Sequence, residues 1–156
     1  MSQSGLQQYC TFYLDKYYFG IEVEQVQEII RFQEITPVAL APAVVKGLIN
    51  LRGQIVTAVD LRCLLELPDR DGDEVPMNIV VRTPVGAFSL LADRIGDVLE
   101  LADGSFESPP DNLSGMAREL IQRAYKLDGT LLLTMAIDKL ISAEVLNREK
   151  KQLEMS

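Results

Sequence analysis

The chain has 156 residues, 47% of them hydrophobic and 24% charged, with a formal net charge of −8. This is the composition of a folded globular protein, the size of one ordinary domain or of two very small ones sharing a core, and it argues against a disordered chain. The acidic balance argues against nonspecific nucleic-acid binding and favours a protein partner over an anionic membrane; with no histidine, most hydrolase triads and zinc sites are excluded as well.

The first eight residues are polar and uncharged, so no signal peptide is read there. No apolar stretch approaches the roughly 20 residues of a membrane span. A cytoplasmic protein with no direct membrane insertion is the expectation. Residues 9–14 are β-rich and aromatic, and Asp15-Lys16 makes a turn. Phe19, Ile21 and Val23 then alternate with Gly20 and Glu22, the period of a half-buried strand. Val26, Ile29 and Ile30 change to helical spacing and predict a short helix over about 24–31. Pro37 and Pro42 confine the next segment to an edge strand or loop. Residues 48–51 and 55–59 are strands around Arg52-Gly53-Gln54, a hairpin, and Asp60 caps a short helix through Leu65.

Residues 68–76, PDRDGDEVP, form the clearest loop. Strands come next at 78–82, 87–92 and 95–101, with a turn at Pro84-Val85-Gly86 and a second loop at 103–113. A last hairpin joins 121–127 to 131–135 through Asp128-Gly129, a favoured type I′ pair. Asp138 caps a final helix with Leu140, Ile141 and Val145 on its apolar face, and residues 147–156 fray.

An internal repeat organises these elements. The segment from Phe19 to Ile30 aligns with Phe88 to Leu99 without a gap: Phe on Phe, Ile21 on Leu90, Glu24 on Asp93, Val26 on Ile95, Glu28 on Asp97. Each half ends in a hairpin leading to an aspartate, Asp60 in one and Asp138 in the other, with two extra residues in the second. The expectation is one domain over 1–156, mainly β, built from pseudo-equivalent halves at about 19–66 and 88–142 that share a core.

Catalytic signals are weak. The acidic loop 69–74 fails the EF-hand pattern, because Gly72 falls fourth and Val80 twelfth. Cys10 and Cys63 are too few for a disulfide scaffold, and both read as buried structural thiols with no histidine to activate them. No GxGxxG or Walker sequence follows a strand. No cofactor and no metal is expected. The segment Lys46-Gly47-Leu48-Ile49-Asn50-Leu51-Arg52-Gly53 stands apart: its glycines suit positions a side chain would obstruct, and Arg52 at the hairpin tip is either a solvated turn charge or an interface anchor.

Gly20-Ile21, Val26-Gln27-Glu28-Ile29, Lys46-Gly47 with Ile49-Asn50-Leu51-Arg52-Gly53, and Val59-Asp60-Leu61-Arg62 occur in an order and spacing that resemble the bacterial chemotaxis coupling proteins, the CheW-like family. The likeness continues through Asp93, Val98-Leu99, Leu127-Asp128-Gly129 and Ile137-Asp138-Lys139-Leu140, and covers about residues 8–146. Thr57 stands where the family pattern usually has Pro. The resemblance implies two intertwined five-stranded SH3-like β-barrel subdomains with short helices and a C-terminal helix. It implies a non-catalytic adaptor in the cytoplasm, recruited to receptor arrays at the inner membrane. The implied partners are the helical hairpin tip of a chemoreceptor, docked in an apolar groove between the barrels, and the regulatory domain of the histidine kinase CheA. Partner-binding positions carried over are Val26, Glu28, Gly47, Asn50 and Arg52. The alternatives are an adaptor of a surface-motility or other receptor-linked pathway, or a small Cys-dependent enzyme.

Overall fold

The computed structural model describes residues 5–41, 43–102, 104–113 and 115–141. Among the described residues ten strands form two five-stranded sheets. The first barrel has the order β8-β1-β2-β10-β9, with β1 (Leu6–Leu14), β2 (Tyr17–Glu22), β8 (Arg94–Ala102), β9 (Ile121–Leu127) and β10 (Thr130–Met135). The second has the order β3-β6-β7-β5-β4, with β3 (Val26–Ile30), β4 (Val45–Leu51), β5 (Gln54–Asp60), β6 (Met77–Thr83) and β7 (Gly86–Ala92). Exchanging β1–β5 for β6–β10 converts one order into the other. Each half gives its first two strands to one barrel and its last three to the other, so the barrels are intertwined as the resemblance implies. The chain crosses between them twice: through a 3-10 turn at Val23–Gln25 and through Asp93.

The core results from this exchange. One large cluster fills the space between the sheets, with Phe12, Leu14, Ile21, Leu61, Ile79 and Leu90 each fully buried. Burial of each such side chain contributes about 1.5–3 kcal/mol. Phe19 and Phe88 both pack on this cluster, Phe19 buried and Phe88 half-buried. Tyr9, Tyr125 and Leu132 fill the first barrel, where burial, then the hydrogen bond between the Tyr9 and Tyr125 hydroxyls, push the Tyr9 phenol above its ordinary range. The second barrel is lined by Leu51, Val56 and Val80 and by Ile49, Ala58 and Leu91.

Several local expectations need correction. Residues 24–31 are not a helix but the 3-10 turn followed by β3. The register of β3 against β6 slips between Val26 and Glu28. That bulge places Val26 and Ile29 opposite Val81 and Ile79, on the face of the shared core. A bulged strand thereby reproduces the three-residue spacing of a helix. The last hairpin and its partner align without a gap, Gly53 with Gly129 and Thr57 with Leu133, since Thr57 pairs with Phe88 as Leu133 does with Phe19. Asp60 therefore corresponds to Ala136, and Asp138 lies inside the first turn of α3 (Ile137–Ile141) instead of capping it. Asp60 does cap the single turn α1 (Leu61–Leu64), accepting from Arg62 N at 3.1 Å. At the Asp128-Gly129 turn only Gly129 takes positive φ, so it is not type I′. Helix α2 (Gly115–Leu120) had no sequence signal strong enough to read. Cys63 is half-buried, not buried. Pro42, Val145 and residues 147–156 lie outside the described residues.

Candidate functional site

The β4–β5 hairpin closes through Arg52-Gly53, both at positive φ (52° and 87°), the geometry of a type I′ turn. Asn50 shapes this turn: its Oδ1 accepts from Gly53 N at 2.9 Å. Arg52 Nη2 donates to Glu28 Oε2, and the Arg52 side chain remains 68% exposed. Glu28 lies on β3 and Arg52 comes directly after β4, the two opposite edges of one sheet. Ile30 of β3 likewise joins the cluster of Leu51. The sheet therefore curls until its edges face each other, and the ion pair spans the gap.

The β3 bulge separates the other assigned residues. Glu28 faces the side of Val80, while Val26 faces the core between the barrels. Gly47 serves packing: it sits at φ 148°, and a Cβ there would lie 2.2 Å from Thr36 O. Thr36 and Leu48 exchange both backbone hydrogen bonds, at 2.8 and 2.9 Å, and so cover the β4 edge. Of the five residues assigned from sequence, the structure gathers Glu28, Asn50 and Arg52 at the hairpin tip. It puts Val26 at the inter-barrel core and Gly47 at the covered edge.

A groove of about 690 Å³ opens elsewhere, beside the shared core. Tyr17, Phe19, Leu131 and Leu133 of the first barrel form one wall; Leu65 and Leu67 after α1 and Leu113 form the other. None of the five assigned residues lines it.

A buried ionic cluster escaped the sequence reading. Arg62 binds the Asp93 carboxylate through Nε (3.0 and 3.1 Å) and Nη2 (2.5 Å). Arg70 Nε reaches the same carboxylate at 2.8 Å, and Asp15 N donates to it at 2.6 Å. Arg62 Nη1 also donates to Pro68 O and Arg70 Nη2 to Leu91 O, which ties down the start of the 68–76 loop. Burial alone would raise the Asp93 carboxyl. The hydrogen bonds from Arg62 and Asp15, with the charges of Arg70 and Arg62, outweigh it and hold the group below the usual carboxylate range. The Asp93 bond in turn raises the Arg62 guanidinium. Both Arg62 and Asp93 stand in motifs that carry the family likeness; their pairing across 31 residues is a tertiary fact with no local signal.

For other chemistry the site offers little. Burial pushes the Cys10 thiol up, away from the thiolate a nucleophile needs. Among the described residues no group of His, Cys, Asp and Glu is placed to hold a metal ion, and no helix is long and apolar enough to cross a membrane.

Residues 8–145 match the family model described as CheW-like domain. The chemotaxis protein CheW of Treponema pallidum is 29% identical over 145 residues, 90% of this chain and 85% of that protein. Its namesake from Klebsiella aerogenes is 30% identical over 138 residues, 88% and 83% of the two chains. The crystal structure of the scaffolding protein TtCheW from Thermoanaerobacter tengcongensis matches at a TM-score of 0.75 and 22% identity, over 83% of this chain and 88% of that one, and shares the fold.

Proposed function

Because the chain belongs to the CheW-like family, with a match over residues 8–145, we propose that it is a non-catalytic adaptor coupling transmembrane chemoreceptors to the histidine kinase CheA in bacterial chemotaxis signalling. That match, running through both intertwined barrels, is the observation that carries the reading. It accounts for a chain whose informative residues are packing and pairing groups. It also accounts for an exposed arginine held in one geometry at a hairpin tip, the kind of anchor that dominates interfaces.

Each partner has a surface that fits it. The chemoreceptor tip is a helical hairpin, and the apolar wall of Tyr17, Phe19, Leu131 and Leu133 suits helix-in-groove recognition. The kinase regulatory domain contacts the hairpin end of the second barrel, with Arg52 and Glu28 as the polar pair at that surface. Asn50 holds the turn, and Gly47 and Val26 hold the frame behind it. The adaptor is recruited from the cytoplasm to receptor arrays at the inner membrane.

The test is a sedimentation assay with vesicles bearing a chemoreceptor, purified CheA and the chain. The chain is expected to pellet with the receptor and to carry CheA down with it. Equal CheA in the pellet with and without the chain overturns the reading.

A further inference from the structure

The chain passes between the barrels at two places that the repeat makes equivalent, Val23–Gln25 and Asp93. They are built differently. At the first, Glu24 is exposed and the 3-10 turn has no side-chain cap. At the second, the Asp93 side chain is only 8% exposed and its carboxylate is held from both barrels. Asp15 N belongs to the β1–β2 turn of the first barrel; Arg62 belongs to α1, which follows β5 of the second. Arg70 adds the intervening loop. The Asp93 backbone N also donates to Tyr13 O of β1 at 3.0 Å.

The cluster extends further. Arg70 Nη1 and Lys46 Nζ each lie 3.6 Å from an oxygen of Asp60, whose side chain is 6% exposed. Lys46 is on β4, the strand that ends at the Arg52 turn. One continuous set of charged side chains therefore runs from the hairpin strand of the second barrel to a turn of the first. Lys46 is half-exposed, but Asp60, Arg62, Arg70 and Asp93 are withdrawn from water. Charged groups so buried and bound from several directions tolerate few alternative geometries, because each displacement leaves an uncompensated charge.

We propose that Asp93 is the positioning residue that fixes the angle between the two barrels, and that the partner sites on the two barrels are coupled through it. The coupling rests on the proposed adaptor function; the fixed angle does not. Among the described residues the other crossing, with Glu24 exposed in the equivalent place, shows no such joint and leaves the angle to apolar packing.

Residual dipolar couplings test the joint. In the parent protein both barrels fit one alignment frame. In Asp93→Asn each barrel fits a frame of its own and the joint fit fails, while Glu24→Gln behaves as the parent. An Asp93→Asn protein that keeps one frame at the parent's angle overturns the joint. Should Asp93→Asn fail to fold, Arg70→Gln takes its place, since it leaves the Arg62 bonds intact; there a weaker loss of the common frame supports the joint and an unchanged frame overturns it. Calorimetry with a receptor hairpin fragment and the CheA regulatory domain tests the coupling. In the parent each fragment raises affinity for the other by about fivefold or more. In the variant the affinity for each fragment is the same with and without the other, so that enhancement is gone. Enhancement that survives in the variant, or is absent from a parent that binds both, overturns the coupling. A parent that binds neither fragment sinks the adaptor reading, and the dipolar couplings still decide the joint.

Discussion

Arg52, at the tip of the β4–β5 hairpin, is ion-paired to Glu28 on β3, at the far edge of the same sheet. The arginine is thus neither a freely solvated turn charge nor simply an unengaged anchor. It already has a partner inside the molecule, which holds its exposed guanidinium in a fixed place. An exposed pair of this kind adds about 0–1 kcal/mol to stability. Its value lies in pre-ordering a side chain that would otherwise lose rotamer freedom on binding.

Arg52→Ala is expected to melt close to the parent, because the pair is exposed, and to lose over tenfold in affinity for the CheA regulatory domain, about 2 kcal/mol for an interface anchor. Arg52→Gly separates backbone from side chain. It loses the same guanidinium but relieves a non-glycine residue from φ 52°, a strain of about 1–2 kcal/mol. Arg52→Gly should therefore melt above Arg52→Ala and bind as weakly. Thermal melts and calorimetry on both variants decide it, and an Arg52→Ala protein that binds within twofold of the parent sinks the anchor.

Gly47→Ala is expected to act through folding. Its new Cβ meets the backbone of Thr36, not the end of a flexible side chain. The paired hydrogen bonds of Thr36 and Leu48 must then open, and φ 148° adds its own strain. A loss of about 2–4 kcal/mol is expected from two weakened backbone bonds and a disfavoured backbone. Denaturant unfolding measures the loss, and faster amide exchange at Leu48 and Thr36 locates it. A stable variant with protected amides would show that Gly47 acts at a partner surface after all.

Much of the fold was legible because it is written twice. The ungapped match of Phe19–Ile30 to Phe88–Leu99 signals two like units, and only two-sheet packing lets them share a core. What failed had a local cause. The β3 bulge imitates helical spacing, since periodicity alone cannot tell a skipped residue from a turn of helix. At the candidate site, the hairpin and the prominence of Arg52 were readable, but its bond to Glu28 was not, because it forms only when the sheet curls. Asp93 was visible as the partner of Glu24 in the repeat and as a position of the family likeness, but its burial and its bonds were not, and the two repeat partners occupy opposite environments.

Asp93 also sets a pH dependence. Its carboxyl is held below the ordinary value of about 3.9. A depressed acid contributes stability that is present above the unfolded value and lost as pH falls through the folded one. Asp93→Asn leaves Arg62 and Arg70 buried without that charge and is expected to cost about 3–5 kcal/mol near pH 7. The difference from the parent should shrink as pH falls below about 4, where the unfolded chain's carboxyl takes up its proton while the folded one still holds its charge, until pH passes the folded value. Urea unfolding from pH 7 to pH 3 measures it, and a gap that stays constant across that range would mean that Asp93 acts by shape alone.

The loop after α1 should divide sharply at Arg70. Its first part is anchored: Arg62 holds the carbonyls of Pro68 and Asp69, and Arg70, 11% exposed, reaches Asp93 and Leu91 O. Residues 71–75 are all exposed, and Gly72 has no heavy atom within 4 Å of where a Cβ would stand. Lengthening a flexible loop costs little, about 0.6 kcal/mol for each doubling. A four-residue Gly/Ser insertion after Gly72 is therefore expected to lower Tm by no more than roughly 2 °C. Arg70→Gln removes one donor from a carboxylate that keeps Arg62, and should cost about 1–3 kcal/mol. Differential scanning calorimetry on the two variants compares them directly. If the insertion melts as low as Arg70→Gln, the exposed tip contributes to the fold in a way its solvent contact does not suggest, and the division at Arg70 is wrong.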